Sequence, residues 1–358
     1  MREFALTTIY FNATRHCNLL CKHCWLSPPF VQDKNAYEDK VKNELSLEEM
    51  TPAINEALAL GLTGIKLTGG EPFLRGDLID FIKHFYEKGL EIQIETNGTL
   101  IDKDMARTLK RFKEVQISVS LDGSSAEAHD VFRGVKGAFD QTLRGLDSLA
   151  QEDIPIQMVF SLHRGNLSSL WDAIALAKDL RAHSIKINTI SSMGRGSHMT
   201  KRAETLTLGE LLDLNSRIEN ADNNGINVLF DLPVAFQSIK SIFSRLKGSC
   251  NIHNIIGILA DGSVSFCGVG QNEPSLIMGN VREDSLRDIW HHHPLLEKMR
   301  QEVPGKLEGI CQKCIFKNRC LGGCRAEVYG AEGNFTAPFG ICEEAHQKGL
   351  FPKTRIIT

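Results

Sequence analysis

Between residues 6 and 220 the chain alternates between two hydrophobic periods, and that alternation limits its fold more than any other feature. Short apolar, β-branched runs at 6–11, 64–68, 90–95, 115–121, 156–162 and 184–190 predict strands. Periodicity near 3.6 predicts helices at 78–88, 103–110, 138–151, 167–180 and 208–220. Ser46 is placed to cap one more helix, with Glu48 and Glu49 in its first turn. Strands alternating with helices build a parallel sheet covered by helices. Six such units fit either an open doubly wound sheet or a partial barrel, and in both the strand C-terminal ends carry the functional groups. Residues 223–225 close the last helix, and 229–249 read as a bridge to a tail of different character.

The ten cysteines are unevenly spread. Cys17, Cys21 and Cys24 follow the first strand at C-x-x-x-C-x-x-C spacing, none falls between 25 and 249, and seven lie between 250 and 342. The first residues carry no signal-peptide pattern, so a reducing, cytoplasmic setting is expected, with thiolates serving metal or catalysis in place of disulfides. Three thiolates leave one iron of a four-iron cube without a protein ligand, and an open metal position is where chemistry occurs. A zinc knot is the alternative reading of the same spacing. Cys250, Cys267, Cys311, Cys314, Cys320, Cys324 and Cys342 form the second group, in a Gly-rich, loop-rich tail with few periodic apolar runs. Bound metal is therefore expected to supply much of its folding energy, with a structural zinc domain as the alternative. His291, His292 and His293 point in different directions on any regular element and read as surface residues. The net charge of −3 gives no general attraction to nucleic acid or anionic membrane, and no apolar run is long enough to span a bilayer.

The loops after the predicted strands hold further polar motifs. Gly69–Gly70–Glu71–Pro72 follows the second strand, where paired glycines allow close backbone approach and a carboxylate can receive an ammonium. Thr96 and Asn97 end the third strand, and Ser120 and Asp122 end the fourth, with short side chains suited to a ribose or amide. His129, Asp130 and Arg133–Gly134 come next, and Asn188 and Arg195 close the sixth unit.

Taken together, the cysteine triad, the GGEP run, the strand-end polar residues and the ordered C-terminal cysteines resemble the radical S-adenosylmethionine (SAM) superfamily, with a SPASM extension. The resemblance spans residues 6–195 and 250–342. It implies an α/β fold: a partial (β/α)6 TIM-like barrel at 1–228, the bridge at 229–249, and a small cysteine-rich SPASM domain at 250–358. It also implies a 4Fe–4S cluster on Cys17, Cys21 and Cys24 as the catalytic group. SAM would lie against Gly69, Gly70, Glu71, Pro72, Thr96, Asn97, Ser120, Asp122 and Arg133. Two auxiliary iron–sulfur clusters would follow, one on Cys311, Cys314, Cys320 and Cys342. The nearer one would have Cys250, Cys267 and Cys324 with an open or unidentified fourth ligand.

By the same resemblance the chain is expected to be an enzyme that cleaves SAM reductively and abstracts hydrogen from a peptide or protein. The outcome would be a cross-link or other oxidative modification in a ribosomally made peptide. A flavodoxin- or ferredoxin-type protein would donate electrons. Many peptide cyclases begin with a leader-recognition domain, whereas the first strand is expected here at about residue 6, so recognition of the precursor is expected to fall to a separate protein or to the barrel and SPASM surfaces; the 26–45 loop, with Trp25, Phe30 and Tyr37, is a candidate surface. Sulfatase-maturing relatives carry Asp after the cysteine matching Cys267, and Gly268 stands there, which disfavours formylglycine formation. Tetrapyrrole decarboxylation in a haem pathway is the alternative enzyme reading, with Asn188 and Arg195 meeting propionates. A non-catalytic metal scaffold is the non-enzyme alternative, and nucleic-acid modification is the least favoured.

Overall fold

Each strand expected from the alternation pairs in parallel with the one before it. In the computed structural model, which describes residues 4–41, 43–221, 225–244 and 250–357, these are β1 (Thr8–Thr14), β2 (Gly64–Gly69), β3 (Glu91–Thr96), β4 (Gln116–Ser120), β5 (Ile156–Leu162) and β6 (Ser184–Thr189). Residues 223 and 224 of the expected helix end and 245–249 of the expected bridge lie outside the described residues. A short β7 (Asn227–Phe230) continues the parallel sheet beyond β6. On the other edge β8 (Ile255–Ile258) pairs in parallel with β1, followed antiparallel by β9 (Ser263–Ser265) and β10 (Gly279–Asn280). One ten-stranded sheet thus runs across the expected divisions at 228 and 250.

The sheet is curled. Flat, it would hold β2 and β7 five strand spacings apart, roughly 24 Å. Yet Lys66 on β2 and Asp231 just past β7 both act on the Cys250 thiol, and Glu95 on β3 is within electrostatic reach of Lys186 on β6. The walls therefore face one another around a lumen, and β7 and β10 are the two free edges of an open, partial barrel. Strand alternation then decides which residues face where. Ile9, Phe11, Ile65, Leu67, Ile92 and Ile94 turn outward beneath the helices and are buried. Their alternates Tyr10, Asn12, Lys66, Thr68, Glu95, Ser118, Gln157, Lys186 and Asn188 turn inward. Small closed barrels fill this space with branched apolar side chains; a polar interior suits a ligand.

Ser46 forms a full capping box with Glu49 on the helix Leu47–Ala59, and helices Leu78–Glu87, Lys103–Leu109, Ala138–Gln151 and Leu208–Asn220 lie where periodicity places them. Before the tail, four helices among the described residues had no counterpart in the periodicity: Lys34–Glu38 inside the expected 26–45 loop, Ala126–Arg133, whose segment is polar, the six-residue Gly196–Lys201, and Ile239–Ser244 inside the expected bridge. The tail corrects an expectation. It carries helices Leu286–His292, Pro294–Glu302, Arg325–Glu332 and Gly340–Gln347. Trp290, Leu286, Met299, Val264 and Phe266 join the same hydrophobic core as β1. Packing therefore holds residues 255–299, and the apolar positions went unnoticed because each element is only two or three turns long. His293 caps the helix Pro294–Glu302 by accepting from Leu295 N–H at 3.3 Å.

Candidate active site

The cysteine loop is clasped on every side by backbone. Gly70 N–H donates to Thr14 O and Glu71 N–H to His16 O, both at 2.8 Å; Leu20 and Lys22 N–H donate to Arg133 and Phe132 O, both at 2.9 Å. Arg195 N–H donates to Cys24 O at 2.9 Å, while Cys17 exchanges bonds of 3.0 Å with Pro29 and Val31. Two glycines make this possible. A Cβ on Gly70 would sit 1.7 Å from His16 O, and one on Gly194, where φ is +53°, would sit 2.4 Å from Trp25 O. The glycine pair of the GGEP run thus lets the chain approach itself, in addition to any ligand. Glu44 braces the loop from below. It accepts from Thr14 Oγ1 at 2.6 Å, Arg15 N–H at 3.1 Å and Tyr37 Oη at 2.6 Å. Tyr37 is therefore buried structure and no part of a substrate surface; Phe30 is exposed.

Cys17, Cys21 and Cys24 come together in one small cluster with Leu19 and Ala138. Burial, with the neighbouring thiols, pushes the Cys17 thiol up, and burial does the same to Cys21. Metal binding overrides this by taking the thiolates. Arg133, itself buried, donates to Cys21 Sγ at 3.5 Å and pairs with Asp122 at 2.5 Å. Asp122 is wholly buried and accepts from Ser161 N–H at 2.6 Å. This pair places a cation beside the thiol set. His23 stacks on Phe132 at 4.5 Å, bonds Ser161 Oγ at 3.2 Å, and is held neutral by burial and by nearby Arg133.

Glu71 is buried, which pushes its carboxyl up to about 7. It accepts from Phe73 N–H at 3.2 Å, Thr96 Oγ1 at 2.7 Å and Asn97 N–H at 2.8 Å, tying the ends of β2 and β3 together. Three of its roughly four acceptor positions are thereby occupied. Pro72 opens the short turn that Glu71 caps. The Asn97 side chain donates to Asn18 at 2.8 Å and accepts from Thr99, linking β3 to the cysteine loop. Gly69, Gly70, Glu71, Thr96, Asn97, Asp122 and Arg133 thus surround the triad. Ser120 ends β4 with its side chain half-buried and without a bond to the others among the described residues. His129 is buried, its Nδ1 accepting from Asp122 N–H at 3.1 Å. Asn18, His23, Glu44, Ser161 and Asn166, whose amide donates to Asp122 O and Ser161 O at 3.0 Å, were missed by sequence reasoning. Only their position near strand ends hinted at them, since a single polar residue has no periodic signature.

The other cysteines sort into two sets. Cys311, Cys314, Cys320 and Cys342 line one small pocket with Ile310, Phe339 and Phe351. Burial raises the thiols of Cys250, Cys267 and Cys324, the neighbouring Cys324 adds to the rise at Cys250 and Cys267, and Tyr10 on β1 is within electrostatic reach of all three. Arg325 lies between the sets, donating to Phe335 O at 2.9 Å and Ala337 O at 2.8 Å. Gly268 abuts the lumen: a Cβ there would be 2.9 Å from both the Trp25 ring and Asn12 Oδ1.

Several buried polar atoms near the barrel mouth lack partners among the described residues: Asn12 Oδ1, His23 Nδ1, Asn188 Oδ1, and Nε and Nη2 of Arg195. Each orphaned group costs about 1–3 kcal/mol. A protein tolerates that where a ligand completes the bonds, so the donor set fits a thiol-bound cluster with a polar ligand above it.

A profile of the radical SAM superfamily matches residues 11–193, half of the chain, and one for SPASM, an iron–sulfur cluster-binding domain, matches 250–315. The chain belongs to the radical SAM superfamily and is an enzyme of its SPASM-bearing branch. Such enzymes use a 4Fe–4S cluster and SAM, and the SPASM domain binds auxiliary iron–sulfur clusters. Among similar proteins, AdoMet-dependent heme synthase of Methanosarcina barkeri is 29% identical over 93% of this chain and 95% of its own. Fe-coproporphyrin III synthase of the same organism is 29% identical over 93% and 87%. The subtilosin biosynthesis protein AlbA of Bacillus subtilis is 27% identical over 97% and 73%. Among solved structures, Streptococcus suis SuiB bound to S-adenosylmethionine superposes with a TM-score of 0.72 over 95% of this chain and 78% of its own; at 16% identity this likeness concerns the fold. No helix among the described residues is long and apolar enough to cross a membrane.

Proposed function

We propose that this chain oxidatively decarboxylates a carboxylate side chain of an iron tetrapyrrole. The observation that carries the reading is the end-to-end similarity to enzymes named for haem and iron coproporphyrin synthesis. This reverses the order reached from sequence alone, where peptide modification stood first. The orphaned guanidinium of Arg195 at the mouth of a polar lumen supports it, since a carboxylate satisfies its unpartnered donors and its charge.

In this reading Cys17, Cys21 and Cys24 hold the catalytic cluster, and Gly69, Gly70, Glu71, Pro72, Thr96, Asn97 and Ser120 form the SAM-binding wall. Asp122 and Arg133 position the loop and place a positive charge at Cys21. Cys311, Cys314, Cys320 and Cys342 hold one auxiliary cluster; Cys250, Cys267 and Cys324 hold the nearer one. When bound, the cluster and SAM supply a 5′-deoxyadenosyl radical, the hydrogen-abstracting agent. The substrate's balance is simple. A propionate loses one hydrogen atom from the methylene joined to the ring, then one electron and CO2, leaving a vinyl group. Such a reaction needs an electron acceptor within reach, and the thiols of Cys250, Cys267 and Cys324 border the same lumen. The chain's own task is to hold the side chain in line, keep water away and leave only one methylene exposed to abstraction. An electron-donor protein of flavodoxin or ferredoxin type completes the scheme.

A second reading, modification of a ribosomally made peptide, is favoured by the similarity to AlbA. Gly268 does not suit formylglycine chemistry, because the Trp25 ring and Asn12 fill the space a catalytic Asp would need. The test is anaerobic incubation of reconstituted enzyme with SAM, dithionite and iron coproporphyrin III, followed by mass spectrometry. Loss of CO2 plus two hydrogens per side chain is expected. SAM cleavage with the tetrapyrrole unchanged would refute the reading.

A further inference from the structure

The inward face of the barrel carries a second set of charges, deeper than Arg195, that the scheme above leaves unused. On one wall Lys66 of β2 meets Glu95 of β3 at 2.5 Å, and Thr68 donates to the same carboxylate at 3.0 Å. On the facing wall Lys186 of β6 meets Asp231, just past β7, at 3.5 Å. The two pairs are opposed across the lumen, since Glu95 is within reach of Lys186 as well as Lys66. Both border the nearer auxiliary thiols: Lys66 and Asp231 act on Cys250, and the Lys66 ammonium lies 5.3 Å from the ring of Tyr10, which is within electrostatic reach of those thiols.

An ammonium carries three donors. Among the described residues Lys66 has only Glu95, and Lys186 only Asp231, as hydrogen-bond or ion-pair partner. Each therefore keeps donors aimed into the lumen. With Arg195 at the mouth, three cations face two anions there, and a concave, low-dielectric wall focuses their field on an incoming anion. A tetrapyrrole spreads its carboxylates around a rigid macrocycle, so anchoring it takes cations on separate walls.

We propose that Lys66 and Lys186 anchor two carboxylates of the substrate on opposite walls of the lumen, with Glu95 and Asp231 positioning the two ammoniums. This rests on the tetrapyrrole reading. The anchored carboxylates are the ones that do not react: an ammonium bound to a carboxylate opposes its loss as neutral CO2. Lys66 and Lys186 thus decide which side chain is left for abstraction at the strand ends.

The test is an optical titration of the reconstituted holoenzyme with iron coproporphyrin III, a tetracarboxylate, and with its tetramethyl ester in the same detergent. Wild type is expected to bind the acid far more tightly than the ester. The double variant Lys66→Met/Glu95→Gln removes one pair without stranding a carboxylate. It is expected to weaken acid binding about tenfold or more and leave ester binding unchanged. Lys186→Met is expected to do the same, and Lys66→Arg to retain affinity, all at wild-type iron and sulfide content. Equal acid affinity in the double variant, or equal acid and ester affinity in wild type, overturns the anchor assignment and leaves the tetrapyrrole reading standing. Wild type that binds neither compound overturns both.

Discussion

Replacing Arg133 by Met strands a carboxylate. In the wild type the Arg133 guanidinium meets Asp122 at 2.5 Å, and Asp122 is completely buried. With Arg133 gone, Asp122 keeps the Ser161 N–H at 2.6 Å but has no countercharge. Breaking a buried pair by removing one partner costs about 3–5 kcal/mol, a large part of the roughly 5–15 kcal/mol that holds a typical domain together. The double variant Arg133→Met/Asp122→Asn removes the stranded charge while the amide oxygen still accepts from Ser161. It should recover all but about 1–2 kcal/mol, the remainder being lost contact with Cys21 and imperfect packing. The assay is thermal unfolding of the three proteins under anaerobic conditions at matched iron loading, following far-ultraviolet circular dichroism and cluster absorbance together. Bound clusters make unfolding other than two-state, so the comparison is of midpoints at equal loading. A single variant as stable as wild type would refute the reasoning, as would a double variant no more stable than the single one.

Three further outcomes are expected. Cys21→Ala abolishes 5′-deoxyadenosine formation from SAM, whereas Cys314→Ala chiefly lowers iron content and stability; cleavage retained by the first variant would sink the site assignment. Glu71, with its carboxyl raised from 4.5 to about 7 by burial, binds a proton more tightly folded than unfolded. The stability it adds is full below pH 4.5 and lost as pH rises through 7, about 3 kcal/mol in all, so the thermal advantage of wild type over Glu71→Gln should shrink across that window. An advantage that stays constant with pH would contradict this. Gly194→Ala forces a Cβ to within 2.4 Å of Trp25 O and should cut SAM cleavage at least tenfold through loss of cluster iron, while Gly209→Ala, with nothing within 4 Å of the new methyl, should not. Equal activity in the two would show that the clasp on the cysteine loop is dispensable.

Much of the barrel was legible because period-2 and period-3.6 patterns are local. The strand Ile156–Leu162 and helices Ala138–Gln151 and Leu208–Asn220 fall where the sequence places them. What stayed hidden depends on distant partners. β8 became visible only through its pairing with β1, because Ile255–Ile258 is apolar at every position and shows no alternation. The helix Ala126–Arg133 was masked by its polar composition; it forms around the Ser125 cap and the Asp122–Arg133 pair. Among the site residues, cysteine spacing and the GGEP run announced themselves. The clasp formed by Gly194 and Arg195 did not, since no local pattern tells a loop that it will dock on a segment some 170 residues earlier. The polar lumen was in the sequence all along, in the alternate positions of each strand, but its meaning needed the curl of the sheet.

The central claim is that the hydrogen comes from a tetrapyrrole side chain. It is tested most directly with iron coproporphyrin III deuterated at the propionate methylenes joined to the ring, incubated anaerobically with reconstituted enzyme, SAM and dithionite. The account predicts one deuterium in each 5′-deoxyadenosine formed per CO2 released. Unlabelled 5′-deoxyadenosine alongside intact tetrapyrrole would contradict it and return peptide modification to first place.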